Sequence, residues 1–135
     1  MVKLKPSGMC FGCGKENDCG LKLDISAENG KAWAKVIFKE HHQGWSGIVH
    51  GGVIVAAIDE VMAYAFGSLG VKTGVTAEMR VRFKRPVKVG EEYLVKAEVV
   101  EFSGRKAVLK GSIEREGVQH AVGEGIYVVV REVRV

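Results

Sequence analysis

The sequence lacks an apolar run long enough to cross a membrane. Its longest, Val53 to Phe66, would rise about 20 Å as a helix, against about 30 Å for a hydrocarbon core. The first residues, Met-Val-Lys-Leu-Lys-Pro, contain no apolar signal region. The expectation is a cytoplasmic protein with no membrane partner. Cysteine is scarce: Cys10, Cys13 and Cys19 are an odd number gathered at one end, which does not make a disulfide framework. No Gly-X-Ser-X-Gly elbow occurs, so serine-hydrolase chemistry of that type has no footing. The net charge is only +4 over 135 residues, weak evidence for a nucleic-acid partner and as compatible with a small anionic ligand as with none; the expectation is no nucleic-acid partner. No linker, repeat or low-complexity tract interrupts the chain. Residues 1–135 are therefore expected to form one domain, with 1–20 as a cysteine-bearing amino-terminal segment. A composition of 47% hydrophobic and 27% charged residues excludes disorder.

What is present is organised around the run from His50 to Gly70. Four alanines favour helix between Val53 and Phe66, and only Asp59 and Glu60 are charged there. A helix apolar nearly all round is a buried one. Two carboxylates in such a helix are costly unless used or solvated. They sit about 100° apart round the axis, so they do not share one environment, and spacing alone does not choose between them. A Gly51-Gly52 turn opens the helix, where backbone N–H groups and the helix dipole are positive. A buried acid with preorganised N–H donors is the makings of an acyl-transfer site.

Elsewhere the period is two. Leu21, Leu23 and Ile25 alternate with polar residues and predict a strand, followed by a hairpin turn at Glu28-Asn29-Gly30 and a return strand over Ala32–Phe38. Lys39 to Val49 reads as a loop. After the helix, strands are predicted over Ala77–Phe83, Tyr93–Val99, Ala107–Ile113 and Ala121–Val130, with turns at Ser103-Gly104 and Glu116-Gly117. The fold class is α+β: about six antiparallel strands, in a meander, curling round one buried helix.

Gln43-Gly-Trp-Ser-Gly-Ile-Val-His50-Gly51-Gly52, with Asp59 beyond it, resembles the hotdog-fold acyl-CoA thioesterases, specifically the phenylacetyl-CoA (PaaI-type) branch. Gly74-Val-Thr76-Ala-Glu-Met, Val81-Arg-Phe-Lys-Arg-Pro86 and the amino-terminal Cys-Phe-Gly-Cys-Gly continue the likeness. The resemblance implies hydrolysis of small or aryl acyl-CoA thioesters without a cofactor. It also implies a homodimer, with a tetramer as a further possibility, whose sheets join edge to edge. It favours Asp59 over Glu60 as nucleophile or general base. It makes the Gly51 N–H the donor to the thioester carbonyl, Thr76 a holder of the attacking water and His50 a group that shapes the turn and hydrogen-bonds near the carbonyl. In that family an Asn often stands six residues before the His. Here that position is Gly44, and the neighbouring Gln43 is the substitute. The substrate-binding candidates are Gly52, Trp45, Glu60, Arg80, Arg82 and Lys84, the basic ones for coenzyme A phosphates.

Each assignment has a plainer rival. His50 and the glycines can serve only the turn and close packing, Thr76 only the strand, and the basic residues only a solvated face. Trp45 can be a loop anchor. Cys10-X-X-Cys13 is one zinc-type pair without a second, for which His41 or His42 can offer a ligand; the expectation is no metal, with the cysteines as packing residues. Two other functions compete: a hotdog hydratase or dehydratase using His50 and Glu60, and a non-enzymatic acyl-CoA-binding protein. Asp59 lies about 12 Å along the helix from Gly51, whereas reacting groups must approach to about 3–3.5 Å. If both act on one thioester, they come from two chains.

Overall fold

A computed structural model describes residues 2–133. In chain order it contains β1 (Val2–Lys3), β2 (Ser26–Glu28), β3 (Lys31–Ile37), a 3-10 turn (Glu40–His42), α1 (Gly51–Gly67), β4 (Gly74–Phe83), β5 (Glu92–Ser103), β6 (Lys106–Arg115), β7 (Val118–Val129) and β8 (Glu132–Val133). β1 and β8 form a two-stranded ribbon. The other six strands form one antiparallel sheet in the order β2-β3-β5-β6-β7-β4, with α1 packed against it. This is the helix-in-sheet arrangement that the apolar helix requires.

Local chemistry explains most of the boundaries. The β2–β3 hairpin closes through Asn29 and Gly30, both at positive φ (51° and 81°), as a two-residue turn demands. β3 alternates strictly, and Ala32, Ala34 and Val36 face the helix. The helix starts at Gly51, two residues before the apolar run, because His50 caps it: its Nδ1 accepts from the Gly52 N–H at 2.9 Å.

The helix seats directly on the sheet because the sheet is bare beneath it. A Cβ at Gly111 would lie 3.0 Å from Met62 and 3.1 Å from Ile58, and one at Gly123 would lie 3.3 Å from Ile58. Ile58 and Met62 are fully buried there.

Two expectations fail. Leu21–Ile25 is not a strand. Its backbone pairs with the cysteine loop instead, Leu21 N–H to the Phe11 carbonyl at 2.8 Å and Leu23 N–H to the Gly12 carbonyl at 2.9 Å. Lys22 has a φ of 49°, incompatible with a strand, and the apolar alternation reflects Leu23 turning into the core with Leu21 and Ile25 packed partly buried against it. Nor is the sheet a simple meander. β5, β6 and β7 follow one another, but α1 carries the chain across the sheet, so β4 lies at the far edge beside β7 while β3 pairs with β5.

The loop before the helix is organised by His42, which is buried at 3% exposure. Its Nδ1 accepts from the Lys39 N–H at 3.0 Å, and its Nε2–H donates to the Cys19 carbonyl at 3.2 Å. The ring is therefore neutral, and burial, aided by neighbouring His41, holds its pKa below the ordinary 6.5.

Two outcomes follow from this packing. The unfolded chain takes up a proton that the folded His42 resists, so its contribution is complete above the unfolded value of 6.5 and stability falls as pH drops below it. Urea melts at about pH 7.5 and about pH 5.5 measure the loss, which His42→Gln should reduce; an equal loss in both proteins would contradict the assignment. Ile58→Ala should cost about 2–5 kcal/mol in the same assay, because a glycine floor cannot collapse to fill the space.

Candidate active site

Asp59 sits in the middle of α1, on the side facing β4 and β7. The Thr76 hydroxyl donates to its Oδ1 at 2.6 Å. The Tyr127 hydroxyl donates to the same Oδ1 and lies 3.0 Å from the Asp59 carbonyl oxygen. Tyr127 is fully buried. Burial first, then the Asp59 charge and hydrogen bond, push its phenol far up, so at neutral pH it is a permanent donor. Both hydroxyls converge on one carboxylate oxygen; among the described residues Oδ2 has no hydrogen-bond partner.

Thr76 reaches Asp59 because of a β-bulge between Thr76 and Glu78. Thr76 pairs with Tyr127 and faces the helix, Ala77 is the extra residue, and Met79, Val81 and Phe83 face inward beyond it. Sequence periodicity placed Ala77 in that inward row. Tyr127 escaped notice because one aromatic in an apolar strand reads as core. The available signal was its hydroxyl, which needs a partner when buried.

At the helix start the Gly51 N–H has no acceptor among the described residues, while the Gly52 N–H is taken by His50. Only one of the two glycine donors is therefore available. With Nδ1 committed, an uncharged His50 ring carries its proton on Nε2 and is exposed. Phe83, at the far end of β4 from Thr76, lies beside Gly51: a Cβ there would stand 3.6 Å from its ring. Gly51 and Asp59 are thus near opposite ends of β4.

The other candidates are dispersed. Gln43 spends its amide on its own loop, donating to the Glu40 carbonyl at 2.7 Å and accepting from the Gly47 N–H. Gly44 backs onto His50, with no room for a side chain without adjustment (3.3 Å to the His50 Cα). Trp45 is 83% exposed, so its side chain is not a buried loop anchor. Arg80 and Arg82 line a groove with Trp33, Lys96 and Lys110 on the sheet face opposite the helix, and the structure does not bring them to Asp59. Lys84 lies just past the end of β4, its N–H bonded to the His120 carbonyl.

Glu60 points the other way, into the cysteine loop, where the Cys10 thiol lies 3.7 Å from each of its oxygens. Burial pushes the Cys13 thiol up to about 11; a hydrogen bond with Tyr64 opposes this, and Glu60 and Cys10 add to it. Cys19 is exposed and outside this group, and both His42 nitrogens are taken by backbone. His50 and Glu60 are about 15 Å apart along the helix axis, which leaves them no common substrate atom within one chain.

Comparison with known proteins agrees with this architecture. The family model described as "Thioesterase superfamily" matches residues 46–133, from the loop before the helix to β8. A Saccharolobus solfataricus protein named "Putative esterase SSO1253" is 34% identical over 119 residues, 86% of this chain and 77% of that protein. Human "Acyl-coenzyme A thioesterase 13" is 30% identical over 78 residues, 56% of this chain and 55% of that one. Among solved structures, the Escherichia coli PaaI protein of the phenylacetic acid degradation operon superposes with a TM-score of 0.73 at 23% identity, over 78% of this chain and 82% of that chain. The chain belongs to the thioesterase superfamily and has its hotdog fold.

Proposed function

We propose that the protein is an acyl-CoA thioesterase of the PaaI type, hydrolysing small or aryl acyl-CoA thioesters to the free acid and coenzyme A. The observation that carries the reading is the Asp59 carboxylate, with one oxygen fixed by Thr76 and Tyr127 and the other unpartnered. In this reading Oδ2 takes a proton from a water molecule, whose oxygen attacks the thioester carbon. The C–S bond then breaks, and the sulfur leaves with the proton. The Gly51 N–H meets the developing oxyanion, a donor worth about 3–4 kcal/mol in such sites. Attack by Asp59 itself, forming an anhydride that water then cleaves, uses the same atoms; the first turnover in ¹⁸O-water distinguishes the two.

The two parts come from two chains. β4 is a ten-residue strand with one edge unpaired among the described residues. Pairing it with its twofold copy, centred near Met79 and Arg80, sets Thr76 opposite the partner's Phe83. That brings Asp59 of one chain towards Gly51 of the other, and repeats the site twice. Exposed Phe83, on β4 itself, would gain cover at the same seam.

Three substitutions test the reading in a thiol-release assay across an acyl-CoA panel. Asp59→Asn should lower kcat at least about 10²-fold with the fold intact by circular dichroism. Gly51→Pro should lower it by about 10²–10³-fold. Proline is tolerated at the first helical position, and His50 at φ −59°, ψ 134° already has the geometry a residue before proline prefers. Full activity in either variant would sink the proposal. Tyr127→Phe should lower kcat with little change in KM and cost about 1.5 kcal/mol of stability, since it removes a donor to a charged group but no ring packing; an unchanged kcat would remove Tyr127 from the account.

A further inference from the structure

The cysteine loop and Glu60 form a second cluster, independent of the thioester chemistry. The Cys10 sulfur, the Cys13 sulfur and a Glu60 carboxylate oxygen lie within 4.8 Å of one another, partly buried. The Cys10 sulfur is 3.7 Å from both Glu60 oxygens. Around a tetrahedral zinc ion, bond lengths of about 2.3 Å to sulfur and about 2.0–2.2 Å to oxygen set ligands about 3.6 Å apart for S···O and about 3.8 Å for S···S. The cluster is close to that spacing.

The loop is built to hold it. Gly14 N–H closes a turn on the Cys10 carbonyl at 2.9 Å, and the Leu21 and Leu23 N–H groups pin Phe11 and Gly12 from the other side. Gly12 lies flat on the carboxylate: a Cβ there would stand 2.6 Å from the Glu60 Cγ, Cδ and Oε2. No N–H or O–H group among the described residues donates to Glu60; Cys10 offers only a weak S–H donor. A half-buried carboxylate on an apolar helix is poorly compensated that way, and a dication compensates it fully.

We propose that Cys10, Cys13 and Glu60 bind a zinc ion that clamps the amino-terminal loop to the middle of α1, beside the turn carrying Asp59. Two thiolates with one carboxylate select a borderline-soft ion of this kind over magnesium or calcium, which prefer oxygen alone. Binding releases the two thiol protons to solvent and oxidises nothing. The fourth position is open to water, with Tyr64 on the same helix face, one turn beyond Glu60.

Cobalt(II) titration of the reduced, metal-free protein, in a phosphine reductant, tests this. The expected result is one cobalt per chain, with thiolate-to-metal charge transfer and strong tetrahedral d–d absorption, displaced by zinc. Cys10→Ser and Cys13→Ser should each lose part of the charge transfer and at least about tenfold in affinity. Glu60→Gln should keep the charge transfer, shift the d–d band and bind at least about tenfold more weakly, and Cys19→Ser should match the parent protein. Gly12→Ala keeps every ligand and should still weaken binding, which guards against variants that fail to fold. Free zinc at 100 times Kd should favour folding about 100-fold and raise Tm. Less than one cobalt per chain, Glu60→Gln binding like the parent, Cys19→Ser losing as much as Cys10→Ser, or a Tm indifferent to zinc would each overturn the site.

Discussion

The structure depends on how one carboxylate is accommodated in the middle of an apolar helix. Asp59 costs free energy there unless it is hydrogen-bonded. Thr76 and Tyr127 supply the bonds, and both requirements propagate outward. Tyr127 must be buried with its hydroxyl facing the helix, which fixes the register of β7 against α1. Thr76 must face the same way, which the bulge in β4 accomplishes. Gly125, two residues before Tyr127 on β7, leaves room for the tyrosine ring: a Cβ there would lie 2.7 Å from it. Compensation at only one oxygen makes the group structural and chemical at once.

The helix face carrying Ile54, Ala57, Ile58, Val61, Met62, Ala65 and Phe66 is buried, while Val53, Val55, Ala56 and Ala63 on its other sides are only partly covered. The glycine-floored sheet takes one face, and the cysteine loop takes another at Glu60. The two acidic neighbours in sequence therefore answer to different surroundings, Asp59 to a hydroxyl pair and Glu60 to sulfur. That division is a consequence of the turn angle of a helix and needs no special backbone. The same geometry separates the Gly51 N–H from Asp59 by two helical turns, so a shared reaction centre is natural only between chains.

Much of this is legible in the sequence. The buried helix, the Asn29-Gly30 hairpin, the return strand and the period-two strands over 77–130 follow from local patterns that tertiary contacts reinforce. Three features are not. Leu21–Ile25 has a strand's alternation, but its hydrogen bonds go to the cysteine loop, and periodicity cannot see a partner. The position of β4 at the far edge is a matter of topology, which a strand's own residues do not encode. The bulge at Ala77 shifts the face of Thr76 by one residue, and nothing in an alternating run marks where the extra residue falls. Of the candidate site, the glycine-opened helix start and an acid in the helix are legible from the residues, whereas Asp59 over Glu60 and the choice of Thr76 come only with the family resemblance; the structure joins Thr76 to Asp59, and Tyr127 is hidden among core residues. Gln43 stands beside the position of the family's Asn, but the loop uses its side chain itself.

The central claim is that Gly51 of one chain and Asp59 of another serve the same thioester. Refolding equal amounts of Asp59→Asn and Gly51→Pro together tests it most directly, with mixed dimers confirmed by differential tags. Half of the dimers are then mixed, and each contains one site with both parts intact. The account predicts recovery of about one quarter of the wild-type rate, from two preparations that are each inactive. Mixed dimers present in the expected proportion but no more active than their parents would contradict it.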